Sequence, residues 1–191
     1  YVFRRRLDVE RREIEVPAIP GEIERLNAAI ELTRRDIQIT QQEALAKHGA
    51  KYAAIFDSHL LMLSDPSFRP QVVKQVQTRR LNVESIVQEV INTFMARFLA
   101  IEDEYLRERA IDIKDVGDRI LRHLLGLEGP AKEIGAEPFV LLTTDVTPSE
   151  LLEFAKGKLL GICLGSGGAT SHVAILAGAL GIPAVFGLLD L

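Results

Sequence analysis

Apolar positions along the chain change their period twice, and the changes divide it. From Glu22, the residues Ile23, Leu26, Ile30, Thr33, Ile37 and Ala44 keep to one helical face. This predicts a long amphipathic helix ending near His48-Gly49. A second helical run carries Ala50, Ala53, Ala54, Phe56, Leu60 and Leu63, and Ser64-Asp65-Pro66 breaks it. A short helix follows from Phe68 to about Arg79. Asn82 is placed to cap the next, whose apolar face is Ile86, Val90, Phe94, Phe98 and Ile101. The last run holds Leu106, Ala110, Ile113, Val116, Gly117, Ile120 and Leu124, and Gly126 is its stop. Residues 22–125 therefore read as four main antiparallel helices, one of them interrupted.

Outside that stretch the pattern differs. Tyr1-Val2-Phe3 reads as the end of a strand, and the mixed charges from Arg4 to Glu13 as a solvated strand and turn closed by Pro17 and Pro20-Gly21. After Gly129-Pro130 the apolar runs shorten. Phe139–Thr143 and Leu159–Cys163 read as strands, as does Ile182–Phe186, with a helix over about 171–180. Thr147-Pro148-Ser149-Glu150 starts a short helix with Thr147 at the cap, Pro148 first and Glu150 completing a capping box. The alternation predicts an α/β unit beside an all-α one.

Composition excludes several functions. The chain has 23 Lys+Arg against 27 Asp+Glu, a net charge of -4, where a dedicated nucleic-acid binder is basic. Aromatics are 6% with no Trp, too few for base-stacking platforms. The one cysteine, Cys163, forms no internal disulfide or multi-cysteine zinc site and reads as an inert core thiol in a reducing, cytoplasmic setting. No run approaches the ~20 apolar residues of a membrane span. The chain begins at Tyr1, stops at Leu191 after an apolar run, and reads as a fragment of a longer protein.

The chemistry concentrates in Gly165-Ser166-Gly167-Gly168-Ala169-Thr170-Ser171-His172. Glycines let the backbone turn tightly and approach a ligand closely. Thr170 or Ser171 is placed to cap the following helix, which puts His172 in its first turn, where N–H groups and the dipole favour an anion. A histidine there is placed to carry a phosphoryl group on a ring nitrogen. P-loop and dinucleotide patterns fail at Ala169-Thr170, and no G-x-S-x-G nucleophile elbow is present. The residues alone leave two readings: an anion site with a histidine, or a glycine-rich turn with a histidine beside the cap. His48 and His123 sit at helix ends, and Glu102-Asp103-Glu104 marks a helix junction.

GSGGATSHVAILAGALGIPAVFG resembles the phosphohistidine segment of phosphoenolpyruvate-utilising enzymes. FDSHLLMLSDPSF, EDEYLRERAIDIKDVGDRILRHLLG and TTDVTPSE resemble Enzyme I of the phosphotransferase system, over roughly residues 40–191. The resemblance implies a swivelling α/β phosphohistidine domain, truncated here, with an inserted antiparallel helical subdomain. Residues 1–20 and 128–191 would form the α/β part and 21–127 the helical part. His172 would take a phosphoryl group from phosphoenolpyruvate, bound with magnesium on a separate C-terminal barrel, and pass it to a histidine of the phosphocarrier HPr. This piece would hold no cofactor itself and could not use phosphoenolpyruvate alone.

Gly167, Gly168, Thr170 and Ser171 would supply donors to the phosphoryl group, with Thr147 nearby. Ala54, His59, Leu61, Met62 and Asp65 would form one wall of the HPr-docking face, and Phe98, Leu106 and Arg109 the other. Ala169 and Gly178 stand where relatives often carry Arg, and Pro66-Ser67 where they are often acidic. The piece is expected to be monomeric, with no nucleic-acid or membrane partner. The alternatives are an Enzyme I-like part of a multidomain, nitrogen-related or dihydroxyacetone-kinase-related carrier, and a helical interaction module without catalysis.

Overall fold

The computed structural model describes residues 7–127, 137–168 and 171–188, and for residues 104–108 the backbone alone. The predicted strand at Tyr1-Val2-Phe3 lies outside them, as do Ala169 and Thr170. The chain divides into two compact units.

The helical unit holds residues 7–39 and 56–127. Helix α1 spans Ile19–His48, so its first 21 residues belong here; α3 is Ile55–Leu63, α4 Phe68–Arg79, α5 Val83–Leu99 and α6 Glu104–Leu125. Pro20 and Gly21 sit inside the first turn of α1 rather than ahead of it. Proline is tolerated there because first-turn N–H groups have no helical acceptor. The predicted α1 stripe is real: Leu26, Ile30, Thr33 and Ile37 are buried. Val72 and Val76 of α4, Ile86 and Val90 of α5 and Ile120 and Leu121 of α6 complete the core. α4 ends where Arg80 takes a left-handed conformation (φ 52°), and its carbonyl accepts from Ile14 N at 2.9 Å.

Residues 7–20 lie in this helical unit, not with the strands as the resemblance implied. The reason is a polar knot at the start of α5. Asn82 does not use its side chain as a helix cap. It donates to Glu10 O at 2.9 Å and Glu84 Oε2 at 3.1 Å, and accepts from Arg12 N at 2.9 Å, tying the N-terminal segment down. The cap is supplied from α1: Glu22 Oε2 accepts from Val83 N at 2.7 Å. Arg25 binds Glu22 at 2.7 Å, Glu84, and Leu124 O at 3.0 Å. Burial pulls the Arg25 guanidinium down, but its hydrogen bonds to Glu84 and Glu22 outweigh this and leave its pKa raised.

The second unit holds residues 40–55 with the strands. The short helix α2 (Ala50–Ala53) packs on α8 (His172–Ala179), which draws residues 40–55 out of the predicted helical subdomain. β1 (Phe139–Thr143), α7 (Pro148–Ala155), β2 (Leu159–Leu164), α8 and β3 (Ala184–Val185) alternate. The sheet is parallel in the order β1-β2-β3, with Leu142 opposite Cys163 and Cys163 opposite Val185. Alternate residues Leu141, Ile162 and Leu164 are buried, as are Leu151 and Phe154 of α7 and Val173, Leu176 and Ala177 of α8. The other face carries Val140, Leu142, Cys163 and Val185. Cys163 is thus a half-exposed free thiol rather than a core one.

Between α5 and α6 the helices meet at Gly117. A β-carbon there would stand 2.8 Å from Ile91 Cγ2 and closer still to Cδ1. Nearly the whole Ile91 side chain would have to move. Gly117→Ala is therefore expected to destabilise the helical unit by about 1–3 kcal/mol despite alanine's better helix propensity. Thermal or urea unfolding of the variant checks this, and unchanged stability would show that the contact relaxes freely.

Candidate functional site

The sheet brings together the loops that leave the carboxyl ends of its strands, the usual ligand edge of an open α/β sheet. Ser166 N and Ser166 Oγ both donate to Thr144 O at 2.9 Å, and Gly165 N donates to Thr143 O at 3.1 Å. Leu188 N donates to Leu164 O at 3.1 Å, pinning the segment after β3 to the same end. Two glycines earn their place. A β-carbon on Gly165 would lie 3.3 Å from both Thr144 Cα and Leu188 O. Gly167 has φ +89°, a conformation that side chains rarely adopt.

Helix α8 begins where this loop ends. Ser171 is its cap: Ser171 Oγ accepts from Ala174 N at 3.2 Å. Ser171 N in turn donates to Gly168 O at 3.1 Å. His172 is thus the first residue of α8, half-buried, at the positive end of the helix. Gly167, Gly168, Ser171 and His172 lie on one loop and helix start. α7 packs beside α8, and the predicted capping box at its start is present. Thr147 Oγ1 accepts from Glu150 N at 3.2 Å, while Thr147 N donates to Glu150 Oε2 at 3.0 Å. Sequence reasoning missed Thr144 and Ser166, whose backbone-directed bonds leave no pattern in the sequence.

Among the described residues no group of three or more His, Cys, Asp or Glu is placed to hold a metal ion. The resemblance places magnesium on the separate barrel and not on these residues.

The predicted docking residues separate on inspection. Leu61 is 75% exposed, Met62 is half-exposed, and Ala54 and Asp65 are exposed. Ala54 belongs to the sheet unit with residues 40–55. Met62, Asp65 and Phe98 line an apolar groove of about 140 Å³ with Phe68, Phe94, Ile113 and Gly117. Leu106 lies on α6, and its side chain is outside the described residues. Arg109 is half-buried and donates to Asp112 Oδ2 at 2.9 Å. His59 is not on this face: its side chain is fully buried. The helical period explains the difference, since His59 and Leu61 are two residues apart and so nearly opposite on α3.

Asp65 shapes the rim of the groove. Its Oδ1 accepts from Ser67 Oγ at 2.6 Å and Ser67 N at 2.7 Å, and this pair of bonds lowers its pKa. A lowered folded-state value contributes stability above the unfolded-state pKa and loses it as pH falls through the folded one. Ser67→Ala is expected to move the Asp65 carboxyl back toward its ordinary value, read by carboxyl NMR titration. An unmoved titration would show that the hydroxyl bond carries no weight.

Two family models match the chain: PEP-utilising enzyme, N-terminal, over residues 1–109, and PEP-utilising enzyme, mobile domain, over residues 135–191. Phosphoenolpyruvate-protein phosphotransferases of Listeria monocytogenes and Geobacillus stearothermophilus are 36% and 38% identical over 180 residues, 94% of this chain. The chain spans only 32% and 31% of those proteins. An NMR solution structure of an Enzyme I protein superposes with a TM-score of 0.72 at 34% identity, covering 97% of this chain and 75% of that one. The N-terminal domain of a nitrogen Enzyme 1 gives 0.66 at 31% identity, covering 94% and 72%. With the loop, the capped helix and the histidine in place, these matches make the chain a member of the phosphoenolpyruvate-utilising family, in its Enzyme I branch, over the N-terminal part.

Proposed function

We propose that this chain carries a phosphoryl group on His172 and exchanges it with a histidine of an HPr-type phosphocarrier docked on the helical unit. The observation that carries the reading is His172 as first residue of α8, behind a glycine-rich loop at the carboxyl edge of a parallel sheet. An unprotonated ring nitrogen attacks phosphorus, the bond to the donor breaks, and a P–N bond forms. First-turn N–H groups face the growing charge, with Gly167, Gly168 and Ser171 of the same loop and helix start as donors, and Thr170 and Thr147 as the further donors that the resemblance implies. In the intact protein the donor is phosphoenolpyruvate on a C-terminal barrel, whose leaving group is the pyruvate enolate. With HPr as donor, one P–N bond breaks as another forms. The setting is the cytoplasm, and this piece works as a monomer.

On the helical unit the partner-facing residues of this reading are Leu61, Met62, Asp65 and Phe98, with Arg109 on the second wall. An exposed leucine beside an apolar groove suits a transient protein partner. A nitrogen-branch carrier is the second reading, favoured by the likeness to the N-terminal domain of a nitrogen Enzyme 1.

Incubation with phosphorylated HPr is expected to give an acid-labile, base-stable label that His172→Ala abolishes. Leu61→Glu is expected to weaken carrier affinity about tenfold, near 1.4 kcal/mol, with full labelling at saturating carrier. Label only from a nitrogen-branch carrier selects the second reading. A folded chain that takes label from neither refutes phosphoryl transfer and leaves an interaction module.

A further inference from the structure

His59 is absent from the docking surface and from the chemistry, yet it sits in the most charged part of the helical core. The ring is fully buried, edge-on to Phe56 with centroids 5.4 Å apart. Its Nε2 lies 3.3 Å from Asp112 Oδ1 and its Nδ1 3.8 Å from Asp115 Oδ2. Both aspartates are 2% exposed and stand three residues apart on one face of α6. Each carboxylate turns its second oxygen to an arginine: Asp112 Oδ2 to Arg109 at 2.9 Å, Asp115 Oδ1 to Arg119 at 3.4 Å. The result is a chain, Arg109–Asp112–His59–Asp115–Arg119, whose three central members are buried and whose end arginines are half-buried. Neither ring nitrogen makes a hydrogen bond of ordinary geometry.

An ionised carboxylate only accepts, and a neutral imidazole has one N–H to give. With a carboxylate facing each nitrogen, a neutral ring would point one lone pair at another. Only the ring with both N–H groups turns a positive edge to each carboxylate, at ion-pair distance on both sides. We infer that His59 is a positioning residue: as an imidazolium between Asp112 and Asp115 it fixes the rotation of α3 against α6, and so the presentation of Leu61 and Met62. This rests on the docking reading above. Removing one partner of a buried charge network leaves the rest uncompensated, so the network is stringent about its geometry.

The test uses the 191-residue chain labelled with ¹⁵N in its histidine rings. At neutral pH the His59 signals, assigned by their loss in His59→Gln, are expected to show both nitrogens protonated. A single neutral tautomer would overturn the proposal without any variant having to fold. Asp115→Asn keeps the size and removes the charge. It is expected to change the ring signals and weaken HPr binding about three- to tenfold, while labelling of His172 at saturating carrier stays complete. A changed ring with unchanged affinity would reduce His59 to a structural role and overturn positioning. If Leu61→Glu also leaves affinity untouched, the docking reading itself has failed, a result that the ring signals do not mimic.

Discussion

Parallel pairing is the constraint on which the site depends. Two parallel strands must be joined by a crossover, here α7 between β1 and β2 and α8 between β2 and β3. Both loops that leave β1 and β2 therefore emerge at the same edge, and each opens a helix there. The bonds from Ser166 to Thr144 then need no special explanation, because the topology has already made those segments neighbours. The position of His172 follows from one serine. Ser171 starts the helix, so the next residue holds its ring at the helix's positive end.

On the proposed docking reading the helical unit meets a different demand. A surface for a transient partner must expose apolar side chains without loosening the helices that carry them. Here the exposed residues are few, and rigidity comes from behind them. Gly117 lets α5 and α6 approach closely, the Asn82–Glu22–Arg25–Glu84 knot fixes the start of α5, and the aspartates of α6 hold the back of α3. On the proposed reading, chemistry and recognition rest on separate compact units, each with its own core.

The sequence made much of this legible for local reasons. Heptad-like stripes gave the helices, and Thr147-Pro148-Ser149-Glu150 gave the start of α7 down to its two capping bonds. The glycine-rich loop and Ser171-His172 were readable because capping and positive φ restrict residue choice within a few positions. What remained hidden depends on distant partners. Asn82 has the residue type of a cap, but Glu22, 60 positions earlier, takes that role. His59 sits in a helix beside exposed residues, and its burial is visible only once Asp112 and Asp115 are seen behind it. The two aspartates, inside the apolar stripe of α6, were the available signal. The assignment of residues 7–20 and 40–55 depended likewise on long-range bonds and packing.

The central claim is that one of four histidines carries phosphate and the other three do not. His48 and His123 stand at helix carboxyl ends, where the dipole favours a cation over a phosphate, and His59 is out of reach of any donor. Mapping the phosphate on the intact, phosphorylated chain by mass spectrometry under alkaline conditions tests this most directly. The account predicts modification at His172 alone. Phosphate on His48 or His123, or on no histidine of a folded chain given a competent carrier, would contradict it.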